Sequence, residues 1–112
     1  MPTPVSPAAS RVFVVHNDGR FDVNDVHRYG QPVVVFRRDF FPDEADDKID
    51  GVLAHAREML ADYDPVHDYI CLVGSPFYVS VCMYLLGLRG LTPIQVLRYD
   101  RTATAYYAIE VK

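Results

Sequence analysis

Tyr69-Ile70-Cys71-Leu72-Val73 leads straight into Gly74-Ser75-Pro76 and then into an apolar stretch from Phe77 to Leu86. The first five residues form a short, uninterrupted apolar run bounded by turn formers, the pattern of a strand buried on both faces. Glycine permits the sharp turn that follows. Serine offers an oxygen to the free amides of a helix start, and proline is pre-shaped for the first helical position. A doubly buried strand that hands the chain to a helix is the unit of a parallel sheet, so this stretch argues for an α/β fold.

The same strand pattern occurs upstream at Val12-Phe13-Val14-Val15, ended by the turn-forming cluster His16-Asn17-Asp18-Gly19. It recurs at Pro32-Val33-Val34-Val35-Phe36, where proline takes the first strand position and its missing N–H does least harm. Between the two, Asp22 is placed to cap a short helical turn through Tyr29, with Gly30 ending it. After Pro42, residues Ala45, Ile49, Val52, Leu53, Ala56, Met59, Leu60 and Tyr63 fall on one helical face, and Asp64-Pro65 ends that helix. Asp43, Glu44, Asp46 and Asp47 suit the positive end of its dipole without requiring a metal.

Downstream, Pro93 to Tyr99 and Ala105 to Val111 read as the fourth and fifth strands, with Asp100-Arg101-Thr102 as a hairpin turn. The last strand alternates Tyr107, Ile109 and Val111 on one face. The expected architecture is a compact three-layer α/β fold with a mainly parallel sheet, order 2-1-3-4-5, and an antiparallel C-terminal edge hairpin. Residues 1–10, with three prolines, read as a flexible leader, and 11–112 as a single α/β domain.

Half of the 112 residues are hydrophobic, enough for one core without staples. A formal net charge of −4 argues against a surface that holds nucleic acid by neutralising phosphates; Arg37, Arg38, Arg98 and Arg101 could gather into a local basic patch, but four arginines on separate elements usually form ordinary solvated faces or ion pairs. Cys71 and Cys82 lie in apolar runs and read as buried free thiols. No apolar segment reaches the ~18 residues of a bilayer span, and the N-terminus has no secretion signal, so the expected compartment is the cytosol.

In a doubly wound sheet, ligands bind beyond the carboxyl ends of the strands where strand order reverses. In the order 2-1-3-4-5 that point lies between the first and third strands. It brings together His16, Asn17, Asp18 and Arg20 with Gly74, Ser75 and Tyr78, a set that offers a basic side chain, small polar groups and an open helix N-terminus to an anion. The same Gly-Ser-Pro turn also serves geometry alone. It is neither the three-glycine dinucleotide fingerprint nor a phosphate loop ending in Gly-Lys-Ser/Thr, and no Gly-x-Ser-x-Gly surrounds Ser75. No cofactor is implied.

The four histidines show no metal-ligand spacing, so no metal site is expected. His55 lies opposite the apolar stripe of its helix and His67 in a polar loop, which sets both aside. His16 and His27 flank the proposed crevice and, with Ser75, are the candidates for catalysis, Asp18 or Asp25 being available as partners.

The stretch from Phe77 to Leu86 is apolar nearly all round, which a helix with one solvent-facing side should not be. Either neighbouring elements bury it completely, or a second copy packs against Phe77, Val81, Tyr84 and Leu88 to form a symmetric dimer.

The sequence features Val15-His16-Asn17, Arg28-Tyr29-Gly30, Asp68-Tyr69, Gly74-Ser75-Pro76 and Tyr99-Asp100 together resemble a group of short, uncharacterised proteins of tailed bacteriophages. The resemblance covers most of the chain after residue 10 and implies a phage-encoded accessory protein of the host cytosol with a Rossmann-like fold. It brings no catalytic residue.

Three functions follow from these readings. The first is a binding protein that takes a small anionic or nucleotide-like ligand, or captures a host or phage protein during takeover or counter-defence. The second is an enzyme on a phosphodiester or nucleotide, with Ser75 and the helix amides holding phosphate while His16 or His27 moves protons. The third is a virion structural or assembly protein working through the apolar helix and the edge of the last strand.

Overall fold

The computed structural model describes residues 10–17, 24–37 and 48–112. These residues form β1 (Arg11–Asn17), a 3-10 turn (Asn24–Arg28), β2 (Gln31–Arg37), α1 (Lys48–Met59), β3 (Tyr69–Cys71), α2 (Pro76–Leu88), β4 (Ile94–Asp100) and β5 (Ala105–Val111). The sheet order is β2-β1-β3-β4-β5. β1 pairs in parallel with β2 and β3, and β3 with β4, while β5 closes the edge antiparallel to β4. Strand order and edge hairpin are therefore as the sequence led us to expect.

Alternation along β1 divides the core. Phe13 and Val15 point to one face and pack with Val52, Ala56 and Leu60 from α1 and its end, and with Tyr78, Cys82, Leu85 and Leu86 of α2. Val12 and Val14 point to the other face and meet Val26 of the 3-10 turn, Cys71, Leu97 and Tyr106. The chain moves from β1 to β2 in one direction and from β2 back past β1 to β3 in the other. Right-handed crossovers then place the 3-10 turn and α1 on opposite faces. Among the described residues, one face thus carries two helices and the other a single short turn.

The amino end of the sheet is held by charge. Asp68, 2% exposed, accepts from the Arg11 amide at 3.0 Å, from Arg11 Nη2 at 2.7 Å and from the Asp64 amide at 2.9 Å. Arg11 Nη1 also reaches Asp62 at 2.9 Å. The Asp68 and Asp62 carboxylates hold the guanidinium in its charged form and raise its pKa, and Arg11 in turn lowers that of Asp62.

The expectations for His55 and Asp25 need correction, and the structure adds the burial of β5 and the placement of the arginines. Tyr107 and Val111 of β5 stand exposed, and the buried anchor of that strand is Tyr106, of the opposite phase, because the 3-10 turn covers the sheet there while the helices stop short of the edge. His55 is not a solvent-facing histidine: Nε2 lies 2.6 Å from the Val35 carbonyl, and its ring packs 5.1 Å from Phe36. Among the described arginines, Arg37 sits at one edge strand and Arg98 and Arg101 toward the opposite side of the sheet, three strand spacings away, so these three form no common patch. Asp25 is a structural anchor, described below. Residues 1–9, Asp18, Arg20, Asp22, Arg38 and the acidic cluster Asp43 to Asp47 lie outside the described residues, whereas Ser10 is tied to β2 through its carbonyl, which accepts from Gln31 N–H at 3.0 Å.

Both cysteines are buried and free, and burial pushes each thiol up to about 12. No described helix is long and apolar enough to cross a membrane.

Candidate functional site

At the carboxyl ends of β1 and β3, where the sequence reading set its candidate site, His16 meets the Gly74-Ser75 turn and the chain's own side chains occupy the junction. Gly74 has φ +95°, the left-handed region that the sharp exit from β3 requires. A Cβ on Gly74 would lie 2.4 Å from the His16 Cβ, so only glycine lets the two strand ends come this close. His16 Nδ1 then accepts the Ser75 amide at 3.0 Å. An amide can only donate, so Nδ1 is the acceptor in this bond.

Ser75 closes the other half. Its backbone is extended (φ −64°, ψ 131°), and its hydroxyl accepts the Phe77 amide at 3.2 Å, which makes it the N-cap of α2 with Pro76 at the first helical position. Two of the N–H groups that would meet an anion are thus already engaged. Tyr78, 7% exposed, lies edge-on to His16 at 4.8 Å and stacks on Phe36 at 4.2 Å, roofing the carboxyl ends of β1 and β2 with aromatic rings. Burial raises the Tyr78 phenol, which keeps it neutral.

The outward side of α2 is built differently. Phe77, Tyr84 and Leu88 are 47%, 57% and 63% exposed, and no charged residue occurs from Pro76 to Leu88. At about 100° per residue, the exposed positions Pro76, Phe77, Ser80, Tyr84, Gly87 and Leu88 occupy one continuous arc roughly 120° wide. Val81, which the sequence assigns to this face, falls just outside the arc and is buried at 7%, within the core. Beside Leu88 an apolar groove of about 340 Å³ opens between the end of α1 and the last turn of α2, lined by Leu60, Ala61, Leu85, Leu88 and the two arginines Arg57 and Arg89. Arg89 is fixed there by donating to the carbonyls of Leu60 at 2.7 Å and Ala61 at 3.2 Å.

Residues 10–112 match the family model described as phage Pam3 gp32-like protein. The chain belongs to the phage Pam3 gp32-like family. The match takes in the whole sheet, both helices and both regions just described, and it supports the phage origin that the sequence resemblance implied. No curated protein and no solved structure matches the chain.

Of the residues singled out from the sequence, this phage Pam3 gp32-like protein brings together His16, Gly74, Ser75 and Tyr78. Asn17 ends β1 half-exposed, in register with Arg37 of β2. His27 stands apart, exposed on the 3-10 turn, and among the described residues no hydrogen bond or ring contact joins it to His16 or Ser75. Asp25, offered as a histidine partner, instead accepts the Tyr106 amide at 2.9 Å and pairs with Arg28 at 3.1 Å. The Tyr106 N–H, and then Arg28, hold its carboxylate below the ordinary range. Among the described residues no three His, Cys, Asp or Glu side chains cluster as metal ligands would. The groove beside Leu88 was missed, because Arg57 and Arg89 belong to different helices and no spacing links them.

Proposed function

We propose that this phage protein is an accessory factor that works by docking a protein on the open arc of α2, and not by turnover at the strand ends. The observation that supports it most is the exposure of Phe77, Tyr84 and Leu88 on a helix with no charged residue. Contiguous apolar surface of this kind marks interaction sites. The other exposed aromatics are weaker candidates: Tyr99 and Tyr107 point to opposite faces of the edge hairpin, with Arg98 and Glu110 beside them. The host cytosol is the compartment in which such a factor would act.

The test is complementation of a phage lacking the gene. Tyr84→Glu and Leu88→Glu are expected to lose activity while remaining folded by circular dichroism, whereas Ser75→Ala retains it. Full activity of both charged variants would reject the proposal.

A second reading keeps the crevice of a Rossmann-like sheet as the site of a small anionic or nucleotide-like ligand. The bond from the Ser75 amide to His16 Nδ1 favours it, because an anion could replace the imidazole as acceptor. Titration with inorganic phosphate that moves the Gly74 and Ser75 amide resonances would support this reading over the first.

A further inference from the structure

We infer that the occupant of the α2 arc is a second copy of the same arc, laid antiparallel across a two-fold axis that passes outside the open side of the helix, level with residue 82. The inference depends on the reading of this face as the working surface and adds the identity of the partner. Its basis is the order of sizes along the arc. Phe77, Ser80, Tyr84 and Gly87 follow one another at three- and four-residue spacing, alternating large and small. An antiparallel pairing centred on residue 82 sets Phe77 opposite Gly87 of the second copy and Ser80 opposite its Tyr84. Every large side chain then meets a small one, as a self-complementary interface requires.

Gly87 fits this reading independently. It lies within a helix, where glycine lowers stability, and a Cβ built on it meets nothing within 4 Å, so no described residue demands its small size. An aromatic ring arriving from outside does. The groove beside Leu88 continues the same surface, and the pairing carries each Phe77 to its mouth on the other copy.

Charge and area agree with a second copy. The absence of charge from Pro76 to Leu88 lets the two arcs meet without burying like charges, and the two Arg89 backbones stand roughly 20 Å apart along the axis, beyond a Debye length in physiological salt. With about 200 Å² for a full aromatic side chain, Phe77, Tyr84 and Leu88 leave on the order of 300 Å² of apolar surface per copy. Doubled for the two copies, that is about 600 Å², half of the roughly 1,200 Å² at the low end of specific interfaces, so the polar rim and the groove beside Leu88 must supply the other half. An interface this small makes a reversible dimer, not a permanent one.

Sedimentation velocity on the full chain, from about 1 to about 100 µM, is expected to show a monomer–dimer equilibrium. Tyr84→Glu and Gly87→Leu should each abolish it. Gly51→Leu on α1, where a Cβ is equally unobstructed, should leave it intact. To fix the orientation, Ser80→Cys and Tyr84→Cys proteins mixed under mild oxidation should yield the mixed disulfide several-fold faster than either yields its own. A wild-type monomer across the range, or faster homotypic crosslinks, overturns the inference. If the protein is monomeric yet Tyr84→Glu still fails to complement the phage, only the identity of the partner is wrong; if Tyr84→Glu complements, the docking reading fails as well.

Discussion

The crevice at the strand ends and the outer arc of α2 lie within a few residues of each other and present opposite situations. In the crevice, the Ser75 amide, the Ser75 hydroxyl and His16 Nδ1 all have partners within the chain. On the arc, Phe77, Tyr84 and Leu88 have their apolar surface open to water. A polar group that is satisfied internally stabilises the fold, and an external ligand must displace that partner to use it. An apolar side chain left in water gains from any partner of fitting shape. The difference teaches that topology locates a crevice, and that only the bonding of its groups shows whether a ligand has room there.

The largest expected effect breaks the crevice side. Gly74→Ala forces a Cβ into the left-handed region and against the His16 Cβ, and it should cost about 3 kcal/mol or more by denaturant unfolding. A loss under 1 kcal/mol would mean that His16 is free to move aside, reopening the site.

Next comes a contrast within α2 itself. Cys82 lies on its buried side, two residues from exposed Tyr84, and burial pushes the thiols of Cys82 and Cys71 and the phenol of Tyr63 each up to about 12. Raised pKa values mean that the folded state favours the protonated forms. Their contribution is complete below the ordinary pKa values, 9.0 for the thiols and 10.0 for the phenol, and is lost as pH climbs toward 12. Melting temperature should fall across that alkaline interval, and the folded protein should resist thiol reagents at pH 8. At the other limb, Asp25, Asp62 and Asp64 are held low by the Tyr106 amide, Arg11 and His67 respectively, so their contribution is lost as pH falls below the carboxylate range.

Smaller effects sharpen the comparison. His16→Ala removes the acceptor of the Ser75 amide and the edge contact to Tyr78, and should cost 1 to 2 kcal/mol, by order of magnitude. Ser75→Ala, which removes the N-cap, should cost about 1 kcal/mol. Tyr84→Glu should change monomer stability by less than about 0.5 kcal/mol, because nothing in the core depends on that exposed ring.

Much of the fold was legible because its determinants are local. Buried strands announce themselves as unbroken apolar runs, and Gly74-Ser75-Pro76 carries the turn, cap and first helical residue in three consecutive positions. The meeting of His16 with Ser75 followed from strand order alone. Other features depend on contacts that local pattern does not carry. The Arg11–Asp68 pair spans 57 positions and the Asp25–Tyr106 bond 81, so neither the latch at the amino end nor the buried phase of β5 showed in the spacing. Helical spacing placed Val81 with Phe77, Tyr84 and Leu88, and only packing against the sheet revealed that the boundary of the core passes between them.

The most direct test of the account is a proton–nitrogen correlation spectrum of the full chain, recorded before and after dilution and then with inorganic phosphate. We expect dilution to move the amides of Ser80, Tyr84 and Leu88, and phosphate to leave Gly74 and Ser75 in place. Phosphate shifts at Gly74 and Ser75, with the α2 arc unmoved by dilution, would contradict it and return the function to the crevice.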